Sequence, residues 1–260
     1  MKILVVGDIV GSPGRTIFAR AAARLRAAGR VDAIVANAEN AAAGNGITPA
    51  LAEELLNAGA DALTLGDHAW DQKELAPKLD GLPRVLRPAN FPPGAPGRGW
   101  TVVETPAGPL AVISLLGRVF MKTLADCPFR AADAILKELP PRVRNIVVDF
   151  HAEATSEKIA LGRHLDGRVS AVLGSHTHVP TADETILPNG TAYQSDLGMT
   201  GPHRGCLGRK IEPVLRTYLT GLPAKFEMAT DDVRLHAALV ETRPDGRAAR
   251  IERFRLDDGE

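Results

Sequence analysis

Carboxylate and imidazole side chains follow the ends of five short apolar runs in this sequence. The runs cover residues 3–7, 33–36, 62–66, 146–150 and 171–174, and their lengths and flanking residues are typical of buried strands. The polar residues that follow or end these runs are Asp8, Glu39, Asn40, Asp67, His68, His151, His176 and His178. Open α/β sheets bind ligands outside the carboxyl ends of their strands, so we expect these side chains to meet at one edge. Their types predict a metal centre.

A group of buried carboxylates would be unstable without cations, because each unpaired charge costs several kcal/mol to bury. The candidates outnumber the roughly four ligands of a tetrahedral ion, and they suit two ions about 3.5–4 Å apart that share a carboxylate. All donors are oxygen or nitrogen, which favours Fe, Mn or Zn over ions that prefer thiolates. The candidate ligands are Asp8, Glu39, Asn40, Asp67, His151, His176 and His178.

Helix and strand signals alternate along the chain and predict an α/β fold with parallel strands. Helices are predicted over residues 15–28, 49–58, 131–138 and 156–164, with Thr48 as the N-cap of the second and a further helix after Asp71. Hairpins are predicted over residues 100–115 and 233–256, and an irregular connection over 82–99. Because the candidate ligands span positions 8 to 178, we expect a single domain over residues 1–260.

The composition argues against several classes of function. With 31 basic and 31 acidic residues, the formal net charge of +0 gives no electrostatic footprint for bulk DNA or an anionic membrane. Only 4% of residues are aromatic, too few for a surface that stacks single-stranded bases. We see no signal peptide and no apolar run long enough for a bilayer, and the two cysteines form no CxxC pattern. These features predict a cytoplasmic protein with reduced thiols.

The order of these residues resembles that of the calcineurin-like metallophosphoesterases, and within them the YmdB type of bacterial cyclic-nucleotide phosphodiesterase. The segments that carry the match are VGDIVG (6–11), NAENAA (37–42), DHAWD (67–71), GSHTH (174–178) and DLGMTGP (196–202). The resemblance implies a metallophosphoesterase-like four-layer αββα sandwich with mixed sheets. It also implies two metal ions, with Glu39 shared between them. The remaining ligands would be Asp8, Asn40 and His178 for one ion, and Asp67, His151 and His176 for the other.

The same resemblance implies a small-molecule nucleotide substrate, most of all a 2′,3′-cyclic nucleotide, with a 3′,5′-cyclic one as the other choice. A hydroxide bridging the metals would attack phosphorus, and His68 would protonate the leaving oxygen. The superfamily's usual Asp-x-His opening is Asp8-Ile9-Val10 here, so Asn40 would replace the missing imidazole.

A second departure is local to this chain, because the family pattern has Asn where this chain has Asp67. The additional negative charge leads us to expect a trivalent ion, Fe(III) in a mixed-valence pair, with Mn or Zn as alternatives.

Other functions stay open at this point. A phosphomonoesterase or a nuclease would use the same centre, although the net charge of +0 weighs against long nucleic-acid substrates. A metal-binding, RNA-associated regulator with little turnover is another alternative, although it would need neither His68 nor the full set of ligands. An RNA or RNA-processing partner and a homo-oligomer also stay open.

Overall fold

Two mixed β-sheets, packed face to face, form the centre of the computed structural model, which describes residues 1–259. The strands are β1 (Lys2–Val6), β2 (Asp8–Ile9), β3 (Ala33–Asn37), β4 (Ala62–Thr64), β5 (Val85–Leu86), β6 (Trp100–Thr105), β7 (Gly108–Leu116), β8 (Asn145–His151), β9 (Ala171–Ser175), β10 (Thr185–Ile186), β11 (Ala192–Gln194), β12 (Met199–Pro202), β13 (Val233–Thr242) and β14 (Ala248–Asp257). The helices are α1 (Gly11–Ala27), α2 (Pro49–Asn57), α3 (Pro128–Glu138), α4 (Thr155–His164) and α5 (Ile211–Thr220), with a 3₁₀ helix at Ala76–Gly81.

The first sheet, here called sheet I, has the strand order β2-β12-β13-β1-β3-β4-β5, with β14 paired to β13. Strands β1, β3, β4 and β5 are parallel neighbours, whereas β13 runs antiparallel to β1. The second, sheet II, has the order β10-β11-β9-β8-β7-β6, with a parallel centre and antiparallel edge strands. The parallel centres place the carboxyl ends of consecutive strands side by side.

Alternating side chains give each sheet two buried faces. In β1, Ile3 and Val5 pack between the two sheets, whereas Leu4 lies in the apolar cluster under α1 and α2. In β8, Val147 lies between the sheets and Val148 packs in the cluster under α3 and α4. Three apolar clusters therefore separate four layers in the order helices, sheet I, sheet II, helices. The predicted four-layer sandwich with mixed sheets is confirmed.

Most predicted elements are present with bounds shifted by a few residues. Thr48 caps α2, since its hydroxyl accepts a hydrogen bond from the Leu51 N–H at 3.2 Å. The predicted helix directly after Asp71 is wrong, because residues 71–75 form turns and only the short 3₁₀ helix follows. Pro77 lacks an N–H and disfavours a helical residue before it, which prevents a longer α-helix here.

Several elements were not predicted: the short strands β2, β5, β10, β11 and β12, and helix α5. Strand β5 lies inside the segment 82–99 that we expected to be irregular, and two residues are too short to form a recognisable apolar run. Helix α5 has apolar residues at helical spacing, a pattern that the sequence analysis did not use. They are Ile211, Val214, Leu215, Tyr218 and Leu219, of which only Val214 is buried.

No helix within residues 1–259 is long and apolar enough to cross a membrane. Cys127 and Cys206 are both free thiols. The single domain over residues 1–260 stays a prediction.

Candidate metal centre

The carboxyl ends of central strands from both sheets bring the predicted ligands to one edge of the molecule. Asp8 follows β1, Glu39 and Asn40 follow β3, and Asp67 follows β4 in sheet I. In sheet II, His151 ends β8, and the loop after β9 carries His176 and His178.

Gly66 allows the two sheets to approach each other at this edge. A Cβ atom at position 66 would lie 2.2 Å from Cδ2 of His151 and 2.5 Å from Oε2 of Glu39, closer than real Cβ contacts occur. The glycine that precedes Asp67 is therefore a requirement of packing, since any side chain there would push His151 and Glu39 apart.

Four of the predicted ligands form one tight cluster, here called the His151 group: Glu39, Asp67, His151 and His176. One donor atom from each lies within 4.8 Å of the others. Nε2 of His151 is 2.9 Å from Oε1 of Glu39 and 3.0 Å from Oδ1 of Asp67. Nδ1 of His176 is 3.0 Å from the same His151 nitrogen and 3.4 Å from Oδ1 of Asp67. These nitrogen and oxygen atoms converge on a volume the size of a single cation.

The other three, Asp8, Asn40 and His178, lie beside that cluster and are here called the His178 group. Nε2 of His178 is 3.2 Å from Oδ1 of Asn40 and 3.8 Å from Oδ1 of Asp8. The Asn40 amide group donates to the carbonyl of Gly44 at 3.1 Å, which turns its oxygen toward His178. Asp8 also connects the two groups, since its Oδ1 is 3.8 Å from Nδ1 of His151.

Burial gives these groups unusual electrostatics. Asp8 is fully buried, and desolvation raises the pKa of its carboxyl to about 8, despite the attraction of His151. Burial would also raise the pKa of Glu39 and of Asp67, but contact with His151 outweighs it and lowers both. Desolvation lowers the pKa of the His178 imidazole to about 4. For His151, burial is outweighed by Glu39 and Asp67, and its pKa is raised well above the usual value.

Unsatisfied buried atoms indicate that cations fit this site. Oδ1 of Asp8 and Nδ1 of His178 are buried and have no hydrogen-bond partner within the described part of the chain. Buried polar atoms without partners are rare in native proteins and call for an explanation such as a missing ion. A cation next to Asp8 would offset the cost of burying its charge. The donor set of carboxylate, amide and imidazole suits Fe, Mn or Zn.

His68 lies at the edge of this cluster and not inside it. Its backbone N–H donates to Oε2 of Glu39 at 3.1 Å, and its Nδ1 is 2.7 Å from Oδ2 of Asp71. The side chain retains 35% of its surface exposed, so the imidazole borders solvent at the edge of the site. Burial alone would lower the pKa of His68, but Glu39, Asp67 and Asp71 raise it.

A buried ion pair holds the loop that carries His176 and His178. Both histidines have a positive φ, 101° and 64°, which costs free energy in residues other than glycine. The Thr177 N–H between them donates to Oδ2 of Asp196 at 3.1 Å, and the same oxygen pairs with Nζ of Lys158 at 2.7 Å. Lys158 is only 1% exposed, so the pair is shielded from water.

Sequence reasoning missed several polar residues around the site. Asp71 contacts His68, and Oε2 of Glu153 is 3.0 Å from Nε2 of His176. Asp149 was included in an apolar run, although alternation in β8 puts it on the same buried face as Val147 and His151. A charged residue on a core face was the signal that could have identified it.

The fold and the cluster define the class: a protein with the metallophosphoesterase fold and a metal-binding cluster of Glu, Asp and His side chains. The chain matches the YmdB-like protein family over residues 4–254, and it belongs to that family. It is 46% identical over 259 residues to the 2′,3′-cyclic-nucleotide 2′-phosphodiesterase of Bacillus subtilis (strain 168). The alignment covers 99% of this chain and 98% of that relative.

Solved structures agree with this assignment. A protein from Thermus thermophilus superimposes with a TM-score of 0.92 at 42% identity, covering 99% of both chains. A phosphatase from Mycoplasma pneumoniae superimposes with a TM-score of 0.89 at 31% identity, covering 99% of this chain and 93% of that one. The resemblance to the YmdB type and the metallophosphoesterase-like fold predicted from sequence are thus confirmed.

Proposed function

We propose that this enzyme, a phosphoric diester hydrolase, cleaves 2′,3′-cyclic nucleotides at a centre that holds two metal ions. The observation that carries the proposal is the convergence of Glu39, Asp67, His151 and His176 within 4.8 Å of one another. The choice of substrate is supported by the Bacillus subtilis relative, which is named for its action on 2′,3′-cyclic nucleotides and matches 99% of this chain. A 3′,5′-cyclic nucleotide is the second choice.

The two groups of side chains would each hold one ion, with Glu39 shared. Bound ions at this position would lower the pKa of a water and neutralise charge on the phosphoryl oxygens. The side chains contribute oxygen and nitrogen donors only, so we propose iron, with Mn or Zn as alternatives. Asp67 adds a negative charge to the His151 group, which favours a trivalent ion in a mixed-valence pair.

His68 is the proposed general acid. Asp71 accepts a hydrogen bond from its Nδ1–H at 2.7 Å, which orients the ring and leaves Nε2 as the nitrogen available to a substrate. Nε2 would donate a proton to the ribose oxygen that leaves phosphorus, a task for which imidazole is suited near neutral pH. A protein that only stores metal has no need for this arrangement.

The test is hydrolysis of 2′,3′-cyclic AMP by purified protein loaded with Mn²⁺ or Fe²⁺, with 2′-AMP and 3′-AMP resolved. We expect 3′-AMP, because cleavage of the bond to the 2′ oxygen leaves the phosphate on the 3′ oxygen. A chelator should stop the reaction. Two bound metals without turnover on any cyclic or linear nucleotide, or on bis-p-nitrophenyl phosphate, would contradict the proposal and favour a metal-binding regulator.

We also propose a cytoplasmic location. The two cysteines support it, because both are free in the structure and disulfides are rare in reducing compartments.

A further inference from the structure

A buried carboxylate with no assigned role lies directly beneath His151. Asp149 is 2% exposed and sits between the two sheets, on the face of β8 that also carries His151. No Lys or Arg among residues 1–259 pairs with it. Burying a carboxylate without a cation is costly unless its oxygens accept several hydrogen bonds, so its partners indicate what it does.

The partners of Asp149 are neutral side chains from three other strands. Oδ1 accepts from the Ser175 hydroxyl at 2.6 Å, and Oδ2 accepts from the Asn37 amide group at 3.0 Å. The hydroxyl of Thr64 also donates to Oδ2. Strands β3 and β4 belong to sheet I and β9 to sheet II, so this carboxylate joins the two sheets beneath the metal centre.

Ser175 lies between Asp149 and His151 and forms a hydrogen bond with each of them. Its hydroxyl oxygen lies 3.0 Å from Nδ1 of His151 and is fully buried. A serine hydroxyl has one proton, and here that proton is directed at the Asp149 carboxylate. Toward His151 the oxygen can therefore only accept, which requires the ring proton to be on Nδ1.

From this chain of hydrogen bonds we infer that Asp149 is a positioning residue that fixes the tautomer of His151. When a cation replaces the proton that Nε2 shares with Glu39 and Asp67, the proton kept on Nδ1 leaves the Nε2 lone pair free to bind that cation. Asn37 adds a second link, because its side-chain oxygen accepts from the Glu39 N–H at 3.1 Å. Two proposed ligands are thus aligned by one buried network, an inference that rests on the proposed metal centre.

Without Asp149 and Ser175 the opposite tautomer would be favoured. The Asn37 amide nitrogen is only 3.3 Å from Nδ1 of His151 and could donate to it if that nitrogen lost its proton. The ring proton would then occupy Nε2, where it would compete with a cation. Partners that orient metal-binding histidines in this way typically contribute 10–100-fold to metal affinity.

The experiment compares Zn²⁺ binding by wild-type protein, Ser175→Ala and Asp149→Asn, using competition with a chelator. Thr64→Val is the matched control, because it removes a hydrogen bond to the same carboxylate without contact to His151. We expect Ser175→Ala and Asp149→Asn to bind Zn²⁺ about 10–100-fold more weakly, whereas Thr64→Val should lose thermal stability but retain affinity. In nitrogen-15 NMR spectra of the Zn²⁺-loaded wild-type protein, the ring proton of His151 should be on Nδ1.

Each outcome separates this inference from the proposed function. If wild-type protein binds Zn²⁺ and hydrolyses cyclic nucleotides but Ser175→Ala binds as tightly, the inference is wrong and the proposed function stands. Equal losses in Ser175→Ala and Thr64→Val would also overturn it, since the effect would then be general destabilisation. If Ser175→Ala does not fold, Asp149→Asn and the proton position in the wild-type protein decide. A wild-type protein that binds no metal would overturn both.

Discussion

The two halves of the candidate centre satisfy their polar atoms in different ways. In the His151 group, carboxylates and imidazoles of opposite charge lie 2.9–3.0 Å apart and satisfy one another. In the His178 group, Asp8 Oδ1 is 3.8 Å from the nearest histidine nitrogens and has no hydrogen-bond partner within the described residues. The first group can keep its geometry through internal ion pairs, whereas the second requires a cation or a proton on Asp8.

Two buried carboxylates, Asp149 and Asp196, support the candidate centre, and they too differ in how their charge is balanced. Asp149 has only neutral donors among the described residues and acts on a ring nitrogen of His151 through Ser175. Asp196 is neutralised by Lys158 and acts on the backbone between His176 and His178. The network under His151 therefore acts on the ring of a proposed ligand, whereas the Lys158–Asp196 ion pair stabilises the strained backbone of the loop.

The largest effect is expected from Glu39→Gln, which tests whether the two groups share a ligand. Loss of a bridging carboxylate should remove both ions and reduce hydrolysis at least about 10³-fold, because metal ions supply several kcal/mol of transition-state stabilisation. Metal content and turnover measure this, with the exposed Glu54→Gln as the control. If one ion remains, Glu39 belongs to the His151 group alone.

Lys158→Met should act on the loop that carries His176 and His178. It leaves Asp196 as an unpaired buried charge, and breaking a buried pair in this way costs about 3–5 kcal/mol of unfolding free energy. Urea denaturation measures the loss. Arg142→Met, which breaks an exposed pair with Glu104, is the control and should cost at most about 1 kcal/mol. A small loss in Lys158→Met would show that Asp196 does not depend on its partner.

His68→Ala should leave both groups intact, so it distinguishes a loss of turnover from a loss of metal binding. Removing a general acid typically slows a reaction by at least about 10²-fold, so turnover should fall while metal content is retained. The exposed His164→Ala serves as the control. Loss of metal in His68→Ala would make His68 a ligand and remove our assignment of the acid.

The smallest effect on activity is expected from Asp67→Asn, which changes the charge of the His151 group alone. The amide oxygen can still bind a cation, so the variant should retain two ions and shift its preference toward divalent metals. Elemental analysis after exposure to mixed Fe and Mn would measure the shift. Loss of metal from this variant would contradict the proposed role of charge at position 67.

The sequence predicted that the candidate ligands lie together at one edge of the molecule, because short apolar strands and the residues after them form a local pattern. It did not reveal Asp149 as a partner of His151, since the hydrogen bonds through Ser175 and Asn37 join residues distant in the chain. The two histidines with positive φ were also beyond prediction, because their conformation depends on a contact with Asp196. Local patterns thus located the candidate ligands, and long-range contacts determined their geometry.

We propose that the His151 group and the His178 group hold one ion each. The most direct test is the number of metal ions per chain in purified protein and in His178→Ala, measured by elemental analysis after removal of free metal. We expect two ions in the wild-type protein and one in the variant. A folded wild-type protein without bound metal, or one ion that is unaffected by His178→Ala, would contradict it.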